Sequence, residues 1–252
     1  MRFAALLARA GNTLVTAAAG LLMAGLLAFG GFSLWQDAAV RCGAFAGAEL
    51  LHYKPAVPAA ENPTLTELQA VNRDVCGWLT IDDTGIDYPV VQGATNMDYV
   101  NRDVYGEFSL SGAVFLDSRS AADLSDLYTV VYGHHMDNGA MFSDVTRFAE
   151  AEFFAAHPEG SFSLPDGAYK IEVFACLQTD AYDAVVYTPE QYETGTAALL
   201  AEIDARAVQR RDIGVTPQDK LLALSTCADA ETNGRVVVFG RLCPINEGDE
   251  RP

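Results

Sequence analysis

The amino-acid sequence predicts a mainly β fold with added helices, in which about eight short strands form a closed or nearly closed β-barrel. Two observations lead to this fold class. Short runs rich in β-branched and aromatic residues recur between turn sequences, and stretches with helical spacing interrupt them. Half of the 252 residues are apolar, which suffices for the complete core of one sizeable domain.

The first element is a long apolar segment near the N-terminus. Residues 13–35 carry no charge and would span roughly 34 Å as a helix, which is enough to cross a bilayer. Arg2 and Arg9 precede the segment and Asp37 follows it, so the positive-inside rule places the N-terminus in the cytoplasm. We therefore expect residues 1–36 to be a cytoplasmic tip and a signal-anchor helix of a single-pass cell-membrane protein, with the main domain extracellular. A cleaved signal peptide is the alternative, although its apolar core is normally shorter.

The next segment, residues 37–62, has the composition of an extracellular stalk, because its second half is rich in Pro and Ala. The Asn-Pro pair at the end of this segment is suited to begin a helix, and apolar residues at helical spacing predict that helix over 64–72. We assign the main domain to residues 63–245 and an acidic tail to residues 246–252.

The main domain contains a series of strand patterns. Turn sequences such as Asp82-Asp83-Thr84-Gly85 separate neighbouring strands, and Pro165-Asp166-Gly167 predicts the turn of a hairpin. A helix is expected over 145–156, where phenylalanines form an apolar side. The predicted strands are 77–81, 86–92, 113–116, 127–132, 161–164, 169–179, 221–226 and 235–242.

A second helix is expected over 189–210, between two of these strands. Its apolar residues fall mostly at steps of three and four, which places them on one helical face, and Pro189 suits a first-turn position. The apolar residues are Tyr192, Leu199, Leu200, Ile203 and Ala207.

Charge and cysteine content exclude several classes of function. The net charge of −18 repels polyanions, so a nucleic-acid partner is not expected. The five cysteines form no CxxC pair, which argues against a zinc ribbon or a thioredoxin-like redox motif. Because five is odd, at least one thiol is unpaired within the chain. The cysteines are Cys42, Cys76, Cys176, Cys227 and Cys243.

Three chemically capable side chains lie at predicted strand ends. One strand ends in Leu224-Ser225-Thr226-Cys227, another is followed by Gly133-His134-His135, and Arg235 opens a third. If the last two strands pair antiparallel, Cys227 and Arg235 are neighbours. A thiol nucleophile, an imidazole acid/base and a fixed cation are what acyl transfer by a cysteine enzyme requires. Adjacent residues of an extended chain point in opposite directions, so one histidine faces a given site.

Beyond this chemistry, the chain resembles the class B sortases, which are membrane-anchored cysteine transpeptidases of Gram-positive bacteria. Residues 223–227 are similar to the family's TLxTC motif, with Ala223 where the family usually has Thr. Residues 133–142 and the segments 74–81 and 86–92 are also similar to class B sequences, and the resemblance covers residues 62–243.

The resemblance implies an eight-stranded sortase-type β-barrel with an N-terminal helix and a helix between strands six and seven. It implies that Cys227 is the nucleophile, that His134 is the acid/base with His135 as runner-up, and that Arg235 stabilises the oxyanion. The implied substrate-binding residues are Ser225, Thr226, Leu224 and His135. The resemblance implies no metal and no organic cofactor.

The implied partners are the sorting-signal peptide of a secreted surface protein or pilin, typically of the Asn-Pro-x-Thr type, and an amine. That amine belongs to a peptidoglycan precursor or a pilin lysine. Two other functions stay open from the residues themselves. One is a membrane-anchored cysteine peptidase that transfers the acyl group to water. The other is a non-enzymatic surface β-domain, in which Cys227, His134 and Arg235 would not cluster.

Overall fold

The computed structural model describes residues 2–56, 59, 61–227 and 233–245. The chain divides into two compact units, Met1–Cys42 and Gly43–Pro252. The first unit is formed by helix α1 (Arg2–Gly43). Its stretch Gly11–Trp35 has a mean hydropathy of 1.9 and is long and apolar enough to cross a membrane.

The second unit is a β-barrel of eight strands with one additional short strand. In the described part of the chain, the barrel order is β5-β1-β2-β3-β4-β8-β9-β6, pairing of β5 with β6 closes it, and β7 extends it beside β6. The predicted eight-stranded barrel is therefore confirmed. The strands are β1 (Val75–Ile81), β2 (Asp87–Val91), β3 (Val114–Leu116), β4 (Tyr128–Tyr132), β5 (Glu159–Leu164), β6 (Gly167–Asp180), β7 (Gln209–Arg210), β8 (Lys220–Cys227) and β9 (Gly234–Pro244).

The long strand β6 closes the barrel. Its first half pairs with β5 in a hairpin, in which Leu164 faces Gly167 across the predicted Pro-Asp turn. From Tyr169 to Asp180 it pairs with β9, with a register shift between Val173 and Ala175. A bulge of this kind bends the strand and increases its local twist, as the curvature of a closed barrel requires.

The helices connect the strands and cover the barrel. The predicted N-terminal helix is confirmed as α3, which begins at Pro63 and buries Leu65 and Leu68. The predicted helix between barrel strands six and seven is also present, as α7 with the shorter segments before it. The helices are α2 (Ala48–Leu51), α3 (Pro63–Val71), α4 (Ser143–Arg147), α5 (Ala151–Ala156), α6 (Ala184–Tyr187), a 3₁₀ turn (Pro189–Tyr192) and α7 (Ala197–Arg206).

The extents of two predicted helices were wrong. The single helix expected over 189–210 is interrupted at Gly195, whose φ of +150° lies outside the helical region, and the chain re-enters a helix only after Thr196. The end of the predicted helix is extended and forms β7. The helix expected over 145–156 is two helices, because Glu150 between them is extended with ψ of 128°.

The region predicted to be a stalk has structure of its own. The compact unit begins at Gly43, within residues 37–62, and Ala44 is 1% exposed in the barrel core. The Nζ of Lys54 is 2.7 Å from the carboxylate of Asp87 on β2. The buried Asn62 side chain donates to the carbonyl oxygen of Leu164 at the β5–β6 hairpin.

The alternation of residues along β8 and β9 produces two apolar cores. Leu222 and Leu224 of β8 pack inside the barrel with Val236 and Val238 of β9. The intervening residues of these strands face outward, and α7 covers them with Leu199 and other apolar residues. The candidate site lies at the end of this outer face.

Candidate active site

Of the three predicted catalytic residues, Cys227 and Arg235 lie on adjacent strands, and His134 lies just beyond the end of the next one. Strand β8 lies between β4 and β9 in the barrel. Cys227 is the last residue of β8. It pairs in register with Arg235 on antiparallel β9. On the other side, Tyr132 of parallel β4 pairs with Ser225, and the backbone N–H of Gly133 donates to the Ser225 carbonyl at 3.2 Å. His134 directly follows Gly133, so it lies just beyond the end of β4, at the same end of the sheet as Cys227.

The ring of His134 is fixed by the loop between β2 and β3. Its Nε2 lies 2.8 Å from the carbonyl oxygen of Val100. A carbonyl oxygen only accepts a hydrogen bond, so Nε2 carries a proton and Nδ1 remains available for proton transfer. Gly112 packs against the same carbonyl and against the His134 ring, at a position where a Cβ would meet the Val100 oxygen at 2.5 Å.

The neighbouring His135 has a different environment. Its backbone forms an isolated bridge with Met141, and its Nδ1 is buried with no hydrogen-bond partner in the described part of the chain. Since the two histidines alternate, only His134 continues the face on which Tyr132 lies. Across the described residues, no group of three or more His, Cys, Asp or Glu is arranged to bind a metal ion.

Arg235 is a half-buried cation at the start of β9. Its Nη1 donates to the carbonyl oxygen of Gly234 at 2.9 Å. No carboxylate of the described residues forms an ion pair with it, which leaves donors of the planar guanidinium for a substrate oxygen.

The predicted substrate-binding residues of β8 divide between the two faces of the strand. Ser225 is on the outer face, where its Oγ lies 2.8 Å from the hydroxyl of Tyr187. Leu224 is 2% exposed and packs inside the barrel, so the structure does not bring it to the outer face with Ser225. Thr226 is also buried, and its Oγ1 has no partner among the described residues.

Next to Tyr132 on the outer face lies a buried carboxylate that the sequence analysis did not single out. Asp117, directly after β3, is 0% exposed. Burial opposes ionisation of this carboxyl, but hydrogen bonds from Arg119, Tyr132 and Asn96 outweigh that penalty and hold the pKa of Asp117 below its ordinary value. Burial, with the nearby charge of Asp117, raises the pKa of the Tyr132 phenol, which therefore stays a hydrogen-bond donor.

The sequence analysis did not single out Tyr132 and Tyr187 of the outer face either. Tyr187 ends α6 and stacks on Tyr132, with ring centroids 6.2 Å apart. The sequence held a partial signal for Asp117, because Asp-Ser-Arg directly follows a predicted strand and residues at i and i+2 of an extended chain share a side. It held none for Tyr187, whose position depends on how a helix 38 residues before Ser225 folds back over β8.

A β-barrel with Cys, His and Arg at the ends of neighbouring strands is typical of the class of enzymes with a cysteine nucleophile. The comparisons with known proteins agree with that class. The Sortase domain family matches residues 79–243. Sortase B of Listeria monocytogenes serovar 1/2a (strain ATCC BAA-679 / EGD-e) is 34% identical over 181 residues, which are 71% of this chain and 73% of that protein.

Solved structures extend the comparison to three dimensions. Spy0129, a Streptococcus pyogenes class B sortase involved in pilus biogenesis, is 41% identical with a TM-score of 0.66, and covers 71% of this chain and 97% of its own. A Staphylococcus aureus sortase B–substrate complex is 30% identical with a TM-score of 0.65, covering 73% and 86%. A sortase B complexed with triglycine is 30% identical with a TM-score of 0.67, covering 74% and 89%.

The chain therefore belongs to the sortase family, and its relatives place it in class B. Members of this class are cysteine transpeptidases, and the protein is an enzyme of that type.

Proposed function

We propose that this transpeptidase cleaves a C-terminal sorting signal of secreted proteins at a Thr carbonyl and joins the acyl group to an amine. One observation carries the proposal. Strand β8 lies between β4 and β9, Cys227 pairs with Arg235, and His134 follows β4 by two residues, which supports a common site at this end of the sheet. A nucleophile between an acid/base and a fixed cation is the arrangement that acyl transfer requires.

In the first half-reaction, the Cys227 thiolate attacks the Thr carbonyl carbon. The C=O π pair moves onto the oxygen, and Arg235 donates hydrogen bonds to the resulting oxyanion. When the oxyanion collapses, the C–N bond breaks and the departing nitrogen takes a proton from the His134 imidazolium. The products are a thioester on Cys227 and the released C-terminal peptide.

In the second half-reaction, an amine attacks the thioester carbon. His134, now neutral, accepts the proton of the attacking nitrogen at Nδ1, because Nε2 is engaged with the Val100 carbonyl. Collapse of this second tetrahedral intermediate breaks the C–S bond and restores the Cys227 thiolate. The catalytic cycle returns the enzyme unchanged and leaves a new amide.

Two amines fit the second step. The sortase B solved with triglycine supports an oligoglycine-like amine such as that of a peptidoglycan precursor. The pilus-biogenesis sortase from Streptococcus pyogenes supports a pilin lysine. The sortase B–substrate complex supports a sorting-signal peptide as the acyl donor, for which an Asn-Pro-x-Thr motif is expected.

We infer the membrane arrangement from the charges around α1. The segment Gly11–Trp35 is preceded by Arg9 and followed by Asp37, which favours an N-terminus in the cytoplasm and the barrel outside. In this orientation the enzyme works where secreted proteins leave the membrane. The acidic barrel, part of a chain with a net charge of −18, then faces the cell wall rather than nucleic acid.

The proposal is tested with the full-length protein in detergent micelles. It is mixed with Asn-Pro-x-Thr and Leu-Pro-x-Thr peptides and with either triglycine or a lysine peptide, and mass spectrometry follows the products. We expect a thioester on Cys227 and a ligated product, both absent in Cys227→Ala. A thioester that yields only hydrolysed peptide with both amines would favour the peptidase. No adduct with any peptide, in a protein with an intact circular dichroism spectrum, would favour the non-enzymatic β-domain.

A further inference from the structure

We propose that Arg119 is a positioning residue for the part of the outer face that binds the substrate peptide, because it ties the segment that carries Tyr187 to the buried Asp117 and so holds Tyr187 over Ser225. The inference rests on the proposed function, since it concerns the same outer face. It assigns Arg119 no contact with the reacting atoms.

The anchor of this arrangement is the carboxylate of Asp117. Its Oδ2 accepts hydrogen bonds from Arg119 Nη2 at 2.8 Å, Tyr132 Oη at 2.8 Å and Asn96 Nδ2 at 3.0 Å. Its Oδ1 accepts from the backbone N–H and Nε of Arg119, at 3.0 and 2.9 Å. A fully buried carboxylate with five donors is fixed in position, and it fixes the guanidinium in turn.

From this anchor, the guanidinium reaches the chain beyond β6. Arg119 Nη2 donates to the carbonyl oxygen of Tyr187 at 2.7 Å, and Nη1 donates to the Glu190 carboxylate at 3.2 Å. Helix α6 has four residues, which is too short to be stable without tertiary contacts. The Tyr187 carbonyl is at its C-terminus, where it lacks an intrahelical donor, so Arg119 supplies the hydrogen bond that this end of the helix needs.

The segment that Arg119 holds forms one wall beside Ser225, on the strand that ends at Cys227. The Tyr187 ring stacks on Tyr132 at an interplanar angle of 26°, and its hydroxyl is 2.8 Å from Ser225 Oγ. Ser225 lies two residues before Cys227 on the same strand, so a peptide that places its Thr carbonyl at Cys227 passes this wall. Movement of Tyr187 would therefore weaken peptide binding, measured as KM, more than it would slow bond breaking, measured as kcat.

Only an arginine fulfils this role in full. Its planar fork binds Asp117 through Nε and Nη2 while Nη2 and Nη1 reach Tyr187 and Glu190. A lysine has one nitrogen and cannot span these acceptors together. The fold itself does not depend on Arg119 alone, because Tyr128 Oη donates to the Val186 carbonyl and Tyr192 Oη to the Val185 carbonyl.

The experiment compares Arg119→Gln, Arg119→Lys and Tyr187→Phe, with Glu190→Gln as the matched control, in the full-length enzyme with a sorting peptide and triglycine. For Arg119→Gln we expect the peptide KM to rise about tenfold while kcat changes less than about twofold. Arg119→Lys should also have a raised peptide KM, and its log KM should lie closer to that of Arg119→Gln than to that of the wild type. Glu190→Gln should stay within about twofold, because that ion pair is exposed.

Two further measurements separate positioning from general damage. The Arg119→Gln and Tyr187→Phe effects should be less than additive in the double variant, since both act through the same ring. The rate at which iodoacetamide alkylates Cys227 should be unchanged in Arg119→Gln. A KM within about twofold of the wild type, full additivity, or a fall in kcat equal to the rise in KM would overturn the inference.

Failure of the inference is distinguishable from failure of the proposed function. Wild-type enzyme that ligates no peptide contradicts the function, whatever the variants do. Hydrogen exchange of residues 184–192 tests the tie without substrate, and we expect faster exchange in Arg119→Gln than in Glu190→Gln. Equal protection in the two variants would show that Arg119 does not hold this segment.

Discussion

At the scale of single residues, two adjacent histidines differ in what surrounds them. His134 donates from Nε2 to Val100 and continues the outer face of β4, whereas His135 has a buried Nδ1 with no partner in the described part of the chain. We expect His134→Ala to lower kcat/KM at least about 100-fold, because a positioned acid/base contributes this much or more. His135→Ala should lower it less than about tenfold. Steady-state ligation assays measure both variants. Equal losses of kcat/KM would contradict the assignment of the acid/base to His134 rather than His135.

Arg235 gives the second prediction at this scale. A lysine at position 235 keeps the positive charge but loses the planar fork, so Arg235→Lys should lower kcat at least about tenfold, and Arg235→Ala about 100-fold or more. Single-turnover formation of the Cys227 thioester measures the step concerned. Arg210→Lys on the exposed strand β7 is the matched control and should react like the wild type. If Arg235→Lys is fully active, a point charge suffices and the oxyanion does not need two directed donors.

At the scale of elements, the β2–β3 loop holds the His134 ring through the Val100 carbonyl, and Gly112 leaves room for this contact. Gly112 has φ of +60°, and a Cβ there would lie 2.5 Å from the Val100 oxygen and 3.0 Å from His134 Cδ2. Gly106, in the same loop, has φ of +85° and nothing within 4 Å. Both Ala variants should lose roughly 1 kcal/mol of stability from the left-handed conformation, and Gly112→Ala should lose more, because its Cβ overlaps a backbone oxygen.

Only Gly112→Ala should also reduce activity, because it displaces the carbonyl that orients His134. We expect kcat to fall about tenfold or more in this variant, while Gly106→Ala keeps kcat within about twofold. Thermal unfolding and ligation kinetics on the same preparations give both quantities. An equal loss of kcat in the two variants would mean that loop strain, not the contact with Val100, sets the activity.

The same elements show what a sequence can predict. The strand ends at His134, Cys227 and Arg235 were predictable because apolar alternation and turn residues are local signals, and the Cys227–Arg235 pairing followed from a short connection. The parallel pairing of β4 with β8 joins Tyr132 to Ser225 across 93 positions, and no local pattern encodes it. The helix over 189–210 was predicted too long because its apolar spacing continues past Gly195, whose conformation ends the preceding turn.

At the scale of the whole molecule, the buried carboxylate of Asp117 and the half-buried one of Glu172 join separate parts of the barrel unit. Asp117 links β3 to β4 directly and to the end of α6 through Arg119, and Glu172 on β6 binds Arg241 on β9. Hydrogen bonds from Arg241 lower the pKa of Glu172 below its ordinary value. For Asp117, hydrogen bonds from Arg119, Tyr132 and Asn96 exceed the opposing effect of burial and lower its pKa as well. Both folded-state pKa values lie below the unfolded ones.

The sign of the resulting pH dependence is fixed. A carboxyl with a lowered pKa stabilises the fold above its unfolded pKa, and this stabilisation disappears as the pH falls through the folded pKa. The loss therefore begins near pH 4 and continues below it. The net charge of −18 at pH 7 approaches zero near the pI of about 4.4, so relief of repulsion between acidic groups acts in the opposite direction over the range above it.

Asp117→Asn isolates one carboxylate from this balance. At pH 7 the variant should be less stable than the wild type by about 2 kcal/mol, since charged hydrogen bonds are lost, and its Tm should be lower by about 5 °C. The difference should shrink as the pH falls to about 3, where the wild-type carboxyl is itself becoming protonated. Glu67→Gln removes the same unit of charge from an exposed position on α3, and its Tm should follow the wild type throughout. A difference between Asp117→Asn and the wild type that stays constant from pH 7 to about pH 3 would show that shape and packing at position 117, rather than the charge, hold this corner of the barrel.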